Sequence, residues 1–141
     1  MMTARLIKRL IKLLGICFAI TLSPSVIADH PEVYIISPAH GEVVSNPVPV
    51  LFGLRGMGVA PAGVDRDKTG HHHLLIDVQQ LPALDKPIPA DGHHRHFGGG
   101  QTEVVLQLTP GEHTLQLLLG DKYHIPHSAP LISEKITILV E

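Results

Sequence analysis

From residue 30 onward, glycines and prolines interrupt this chain roughly every ten residues, and β-branched or aliphatic runs fill the intervals. That punctuation leaves no stretch with a sustained helical apolar period. The runs are Val33–Ile36, Val43-Val44, Val48–Leu54, His71–Val78, Thr102–Leu108, His113–Leu119 and Lys135–Val140. Alternation puts Val50, Phe52 and Leu54 on one strand face, Val104, Leu106 and Leu108 on another, and Leu115, Leu117 and Leu119 on a third. Pro47 and Pro49 suit an edge or a strand beginning. Thr109-Pro110-Gly111-Glu112 is a turn, which predicts a hairpin between the runs on either side of it. The expected fold is all-β: an Ig-like antiparallel β-sandwich of about seven short strands.

The first 28 residues read differently. Arg5, Lys8, Arg9 and Lys12 precede an apolar run from Leu13 to Leu22, and Val26-Ile27-Ala28 suits cleavage before Asp29. This is the three-part pattern of a secretory signal peptide, so residues 1–28 are expected to be removed and residues 29–141 to form the exported domain. The apolar run is about half of the ~20 residues a membrane span needs, so no stable membrane anchor is expected after cleavage. Ile16 stands where a lipidated cysteine needs a small residue before it, which argues against a lipoprotein built on Cys17.

Cys17 is the only cysteine, so the mature domain can form no disulfide and must be stabilised by packing. Thiolate zinc sites, blue copper, iron–sulfur clusters and thiol catalysis are excluded with it. Four of the eleven Lys and Arg lie in the leader and none of the thirteen acids do, which leaves a mildly acidic domain. Such a domain, with no basic run, is not a nucleic-acid binder.

All eleven histidines follow residue 29, and eight of them fall in three clusters: His71-His72-His73, His93-His94-Arg95-His96 and His124-Ile125-Pro126-His127. On an extended strand, His71, His73, Leu75 and Asp77 share one face, while His72, Leu74, Ile76 and Val78 share the apolar one. His72 then reads as a core histidine hydrogen-bonded to backbone. His71 and His73, about 6–7 Å apart at Cα, can converge on one ion. His94 and His96 repeat the spacing with Arg95 pointing away, and the proline-rich Gln79–Gly92 connection can return this pair beside the first. His124 and His127 span a proline-restrained loop. The candidate metal ligands are therefore His71, His73, His94, His96, His124 and His127, with Asp77, Glu103 and Asp121 as partners for the free imidazole N–H groups. An all-imidazole site suits Cu(II), Zn(II) or Ni(II), copper being favoured by intrinsic affinity. His30, His40 and His113 stand alone and read as structural or exposed.

Several stretches together resemble one family. They are Gly70-His71-His72-His73-Leu74-Leu75-Ile76-Asp77, His94-Arg95-His96-Phe97-Gly98-Gly99-Gly100-Gln101-Thr102-Glu103, Leu119-Gly120-Asp121, His124-Ile125-Pro126-His127 and Ile132-Ser133-Glu134-Lys135-Ile136. The chain is similar to the bacterial exported domain of unknown function DUF4399 over nearly all of its mature length. The resemblance implies a small exported β-rich domain with recurring histidines, and it implies no activity. This chain departs from the family's second motif, His-Ile/Leu-His-Phe-Gly, by carrying Arg95 between the two histidines.

Three functional classes follow. One is a periplasmic or secreted metal-binding protein for copper or zinc. Another is a metal-dependent enzyme, for which no acid–base pair, Ser-His-Asp order or Gly-x-Ser-x-Gly elbow can be identified. The third is a ligand-binding or structural module whose histidines form a polar network. The glycines of Gly56–Gly63 lack the strand-to-helix setting and Lys-Ser/Thr pair of a phosphate loop and read as irregular loop, in which Met57 is a weak candidate for Cu(I).

Overall fold

The computed structural model describes residues 30–141, so the signal peptide expected over 1–28 lies outside the described residues. Among these residues nine strands form two sheets. The smaller sheet has the order β1 (Glu32–Ser37), β3 (Val48–Arg55), β7 (Glu103–Leu106), with every pairing antiparallel. Pro49 lies beyond the end of β1 and faces Val105 of β7, so its missing N–H interrupts no β1–β3 bond.

The larger sheet runs β2 (Val43–Val44), β9 (Ile136–Val140), β8 (Gly111–Gly120), β5 (Thr69–Ile76) and β4 (Gly58–Val59). The short β6 (His94–His96) also pairs with β5. One edge of β5 is covered by β8, and the other is shared in succession by β4 and β6. Two pairings at the sheet margins, β2–β9 and β4–β5, are parallel, and the rest are antiparallel.

The hairpin expected across Thr109–Glu112 does not form. β7 pairs with β3 in one sheet, while β8 pairs with β5 and β9 in the other. The turn carries the chain between sheets, and Leu106 then meets Leu115 and Leu117 across the core rather than along a ladder. Alternation demands a buried face, but it does not say whether the neighbour lies beside or opposite. Asn46 helps end β7: its amide donates to the Leu108 carbonyl at 2.6 Å and its oxygen accepts the Leu108 N–H at 3.0 Å.

The main core lies between the sheets and joins Val33, Val48, Val50 and Phe52 to Leu74, Ile76, Leu115, Leu117 and Ile138. A second, smaller cluster of Leu75, Leu118 and Ile88 sits on the outer face of the larger sheet, with Val78 and Ile132 packed against it. Ile88 anchors the long connection between β5 and β6 there, and its N–H donates to the His124 carbonyl at 2.8 Å. The outer face of β5 is thus covered by loops rather than by a third layer.

Candidate metal centre

β5 is buried on both faces, and His71, His72 and His73 are all within 1 % of complete burial. His72 turns into the sandwich beside Phe52, with ring centroids 5.2 Å apart. The backbone groups expected beside it are those of Gln101 and Gly53, but neither buried ring nitrogen reaches good hydrogen-bond geometry to them. Burial, which outweighs those backbone groups, holds its pKa below the usual imidazole range.

His71 and His73 turn to the outer face, where two further histidines join them. His96 lies directly opposite His73 in the antiparallel β5–β6 register, with ring centroids 5.1 Å apart. His124 arrives from the turn after β8, its Nδ1 3.1 Å from His71 Nε2. One ring nitrogen from each of His71, His73, His96 and His124 lies within 4.8 Å of all the others.

Local features place each ring. His124 adopts φ 66°, a left-handed conformation uncommon for a side chain that is not glycine. Asp121 holds that turn. Its carbonyl accepts the His124 N–H at 2.9 Å, and its Oδ1 accepts the N–H groups of Tyr123 and Ile125 at 2.8 and 2.9 Å. Gly120 and Gly98 clear space for two of the rings. A Cβ on Gly120 would lie 2.6 Å from His73 Cε1, and one on Gly98 would lie 2.6 Å from His96 Nε2.

Burial and mutual proximity favour the neutral form of His71, His73 and His96. Burial lowers the His71 pKa, and the neighbouring His96 and His124 lower it further, to about 4, against an opposing pull from Asp121. Burial followed by His71, His96 and His124 brings His73 to about 3. His96, the most exposed of the four, is also lowered, by desolvation and then by His124. Neutral imidazoles keep the lone pair that a metal needs, so these three rings can take a cation without first losing protons.

The six histidines singled out in the sequence do not all meet. His94 Nδ1 is 2.9 Å from Asp91 Oδ1, which also accepts the N–H groups of His93 and His94. His127 lies away from the group, its Nε2 buried without a partner, in the wall of a cleft with Lys68 and Met57. Asp77, expected beside His71 and His73, instead accepts from Thr114 N–H at 2.8 Å and pairs with His113 Nδ1 at 2.7 Å. β5 ends at Ile76, and Asp77 at φ 58° has left the strand alternation. Glu103 belongs to the smaller sheet. Of the three acids, Asp121 alone serves the group, through the turn it holds.

Gly98 and Gly120 carry no ligating side chain and so fall outside the residues that the sequence marks as a site. Their only sequence signal is their place beside the histidine motifs, in His96-Phe97-Gly98 and Leu119-Gly120-Asp121.

No curated protein and no solved structure matches the chain. The family described as "Domain of unknown function (DUF4399)" matches residues 50–141, a span that holds all four converging histidines together with Gly98, Gly120 and Asp121. Matched over more than half of its length, the chain belongs to the DUF4399 family.

Proposed function

We propose that this protein binds one transition-metal ion through His71, His73, His96 and His124, and that it does so as an exported protein after loss of residues 1–28. The observation that carries the reading is the convergence of four ring nitrogens within 4.8 Å. Nitrogens bound at ~2.0–2.1 Å around one tetrahedral ion lie roughly 3.3 Å apart. The His71–His124 pair, at 3.1 Å, is already near that edge length. Nitrogens as far apart as 4.8 Å would close by about 1.5 Å through combined ring rotations. An all-nitrogen set suits Zn(II) in tetrahedral geometry and Cu(II) in flattened geometry, and intrinsic affinity favours copper.

The reading is of binding, because the feature that carries it is a set of ligand atoms. The leader-like segment supports export to the periplasm or beyond.

The test is calorimetric titration of the chelator-stripped protein with Cu(II) and with Zn(II). One ion per chain at sub-micromolar affinity is expected. The exposed His96 can be truncated with little risk to folding, and His96→Ala should weaken binding at least a hundredfold. His94→Ala should leave it within about twofold, since that ring is engaged with Asp91. Weak, non-integral uptake unchanged by His96→Ala would sink the metal reading. The His71–His124 hydrogen bond would then stand as part of a structural polar network.

A further inference from the structure

The irregular segment around Gly56–Gly63 touches every part of the chain that carries one of the four histidines. It begins as β4, parallel to the start of β5, with Gly58 opposite Thr69 and Val59 opposite Gly70. The Ala60 N–H then donates to the carbonyl of Gly70, the residue before His71, at 2.8 Å. The Ala62 N–H donates to the carbonyl of Gly98, two residues past His96, at 2.8 Å. The Gly63 N–H donates to the carbonyl of Lys122, two residues before His124, at 3.1 Å. Gly63 has φ 81°, a conformation that side chains rarely adopt.

These bonds matter because the four ligands are unequally supported. His71 and His73 sit on the eight-residue β5, paired along its length with β8. His96 ends the three-residue β6, and His124 sits in a turn. The distance between those two weakly supported residues is spanned by the single peptide stretch Ala62-Gly63, bonded to Gly98 on one side and Lys122 on the other. Ala62 and the His96 ring both border Gly98, where an added Cβ would lie 3.3 Å from Ala62 Cβ and 2.6 Å from His96 Nε2.

Resting on the metal reading above, we propose that residues 58–63 form a positioning strap that sets the separation of His96 and His124 and governs how fast the ion leaves. Dissociation of a multidentate site starts at its least constrained ligands. Here those are His96 and His124: β6 pairing holds the first to β5 and the Asp121 turn orients the second, while the strap ties the two segments to each other and to the start of β5. Groups that orient metal ligands from behind typically alter affinity by about 10–100-fold.

The experiment loads the protein with Cu(II), adds excess EDTA, and follows the loss of the copper absorbance with time. Ala62→Pro removes the N–H that bonds Gly98. The variant should release copper about tenfold faster, while the metal-free form keeps nearly the same urea midpoint. Unchanged release, or faster release that merely tracks a large loss of metal-free stability, overturns the strap. Hydrogen exchange on the unmodified protein keeps the question open to test if the proline variant does not fold. Copper should slow exchange of the Ala60, Ala62 and Gly63 amides together, at least tenfold; unaltered exchange at these amides overturns the proposal. Failure of the unmodified protein to bind copper or zinc at all removes the metal reading and the strap together. Copper binding with strap-independent release removes the strap alone.

Discussion

One residue separates two kinds of buried histidine on β5. His72, on the inner face, is sealed among apolar side chains, with Phe52 against it and no partner for either nitrogen. His71 and His73, on the outer face, are buried as completely but look onto His96 and His124. Desolvation lowers the pKa of all three. Burial therefore keeps an imidazole neutral on either face. Convergence with other rings is what makes it a candidate ligand, and only the outer face supplies that.

The largest effect expected from this contrast is on metal binding. His73→Leu should abolish measurable Cu(II) and Zn(II) uptake, whereas His72→Leu should leave affinity unchanged. The inner-face change should also raise stability by about 1–3 kcal/mol, because it removes buried polar atoms that have no hydrogen-bond partner. Titration calorimetry and urea unfolding of the two variants side by side report both quantities. Equal loss of metal in the two variants would erase the distinction between the faces.

A smaller effect concerns acid. The folded-state pKa values of about 4 for His71 and about 3 for His73 lie below the unfolded value near 6.5. Below pH ~6.5 the unfolded chain therefore binds more protons than the folded one, and stability of the metal-free protein falls as the pH drops toward 4. Urea midpoints measured from pH 7.5 to 5 should decline, and His71→Leu/His73→Leu should flatten the slope. A slope that the double variant leaves intact would move the acid sensitivity elsewhere.

The smallest effect has the opposite sign. Burial lowers the His113 pKa, but hydrogen bonds to Asp77 and the Thr109 carbonyl outweigh it, and the net shift is upward. Its contribution is fully present below pH ~6.5 and is lost as the pH rises through the raised folded value. Asp77→Asn should lower the His113 pKa in an NMR titration without altering metal affinity, since this pair stands apart from the four rings. A change in copper affinity would tie the two sites together.

Much of the outer-face site was legible on β5 because strand alternation is local. Two residues along a strand return to the same face, so His71 with His73, and His72 with Leu74, could be separated without knowing the fold. The partners were less legible. His94 and His96 obey the same spacing, yet Asp91, three residues before His94, captures that ring. His124 and His127 differ because the Asp121 turn aims one at β5 and leaves the other in a cleft wall. Strand alternation misplaces Asp77, because β5 stops one residue before it. The Gly56–Gly63 loop gave no sign of its bonds to three distant segments, since carbonyl acceptors carry no sequence signature.

By itself the sequence determined that the described chain is all-β, that it has no disulfide to rely on, and which face of β5 each of the three consecutive histidines takes. Those properties depend on composition and on a two-residue period, both of which act over short range. Only the tertiary structure decided that β7 crosses to the opposite sheet from β8, and that one histidine from each of two distant clusters joins the pair on β5. Such choices depend on which segments pack side by side, and that is set by the summed burial of the whole core rather than by any one stretch of the chain.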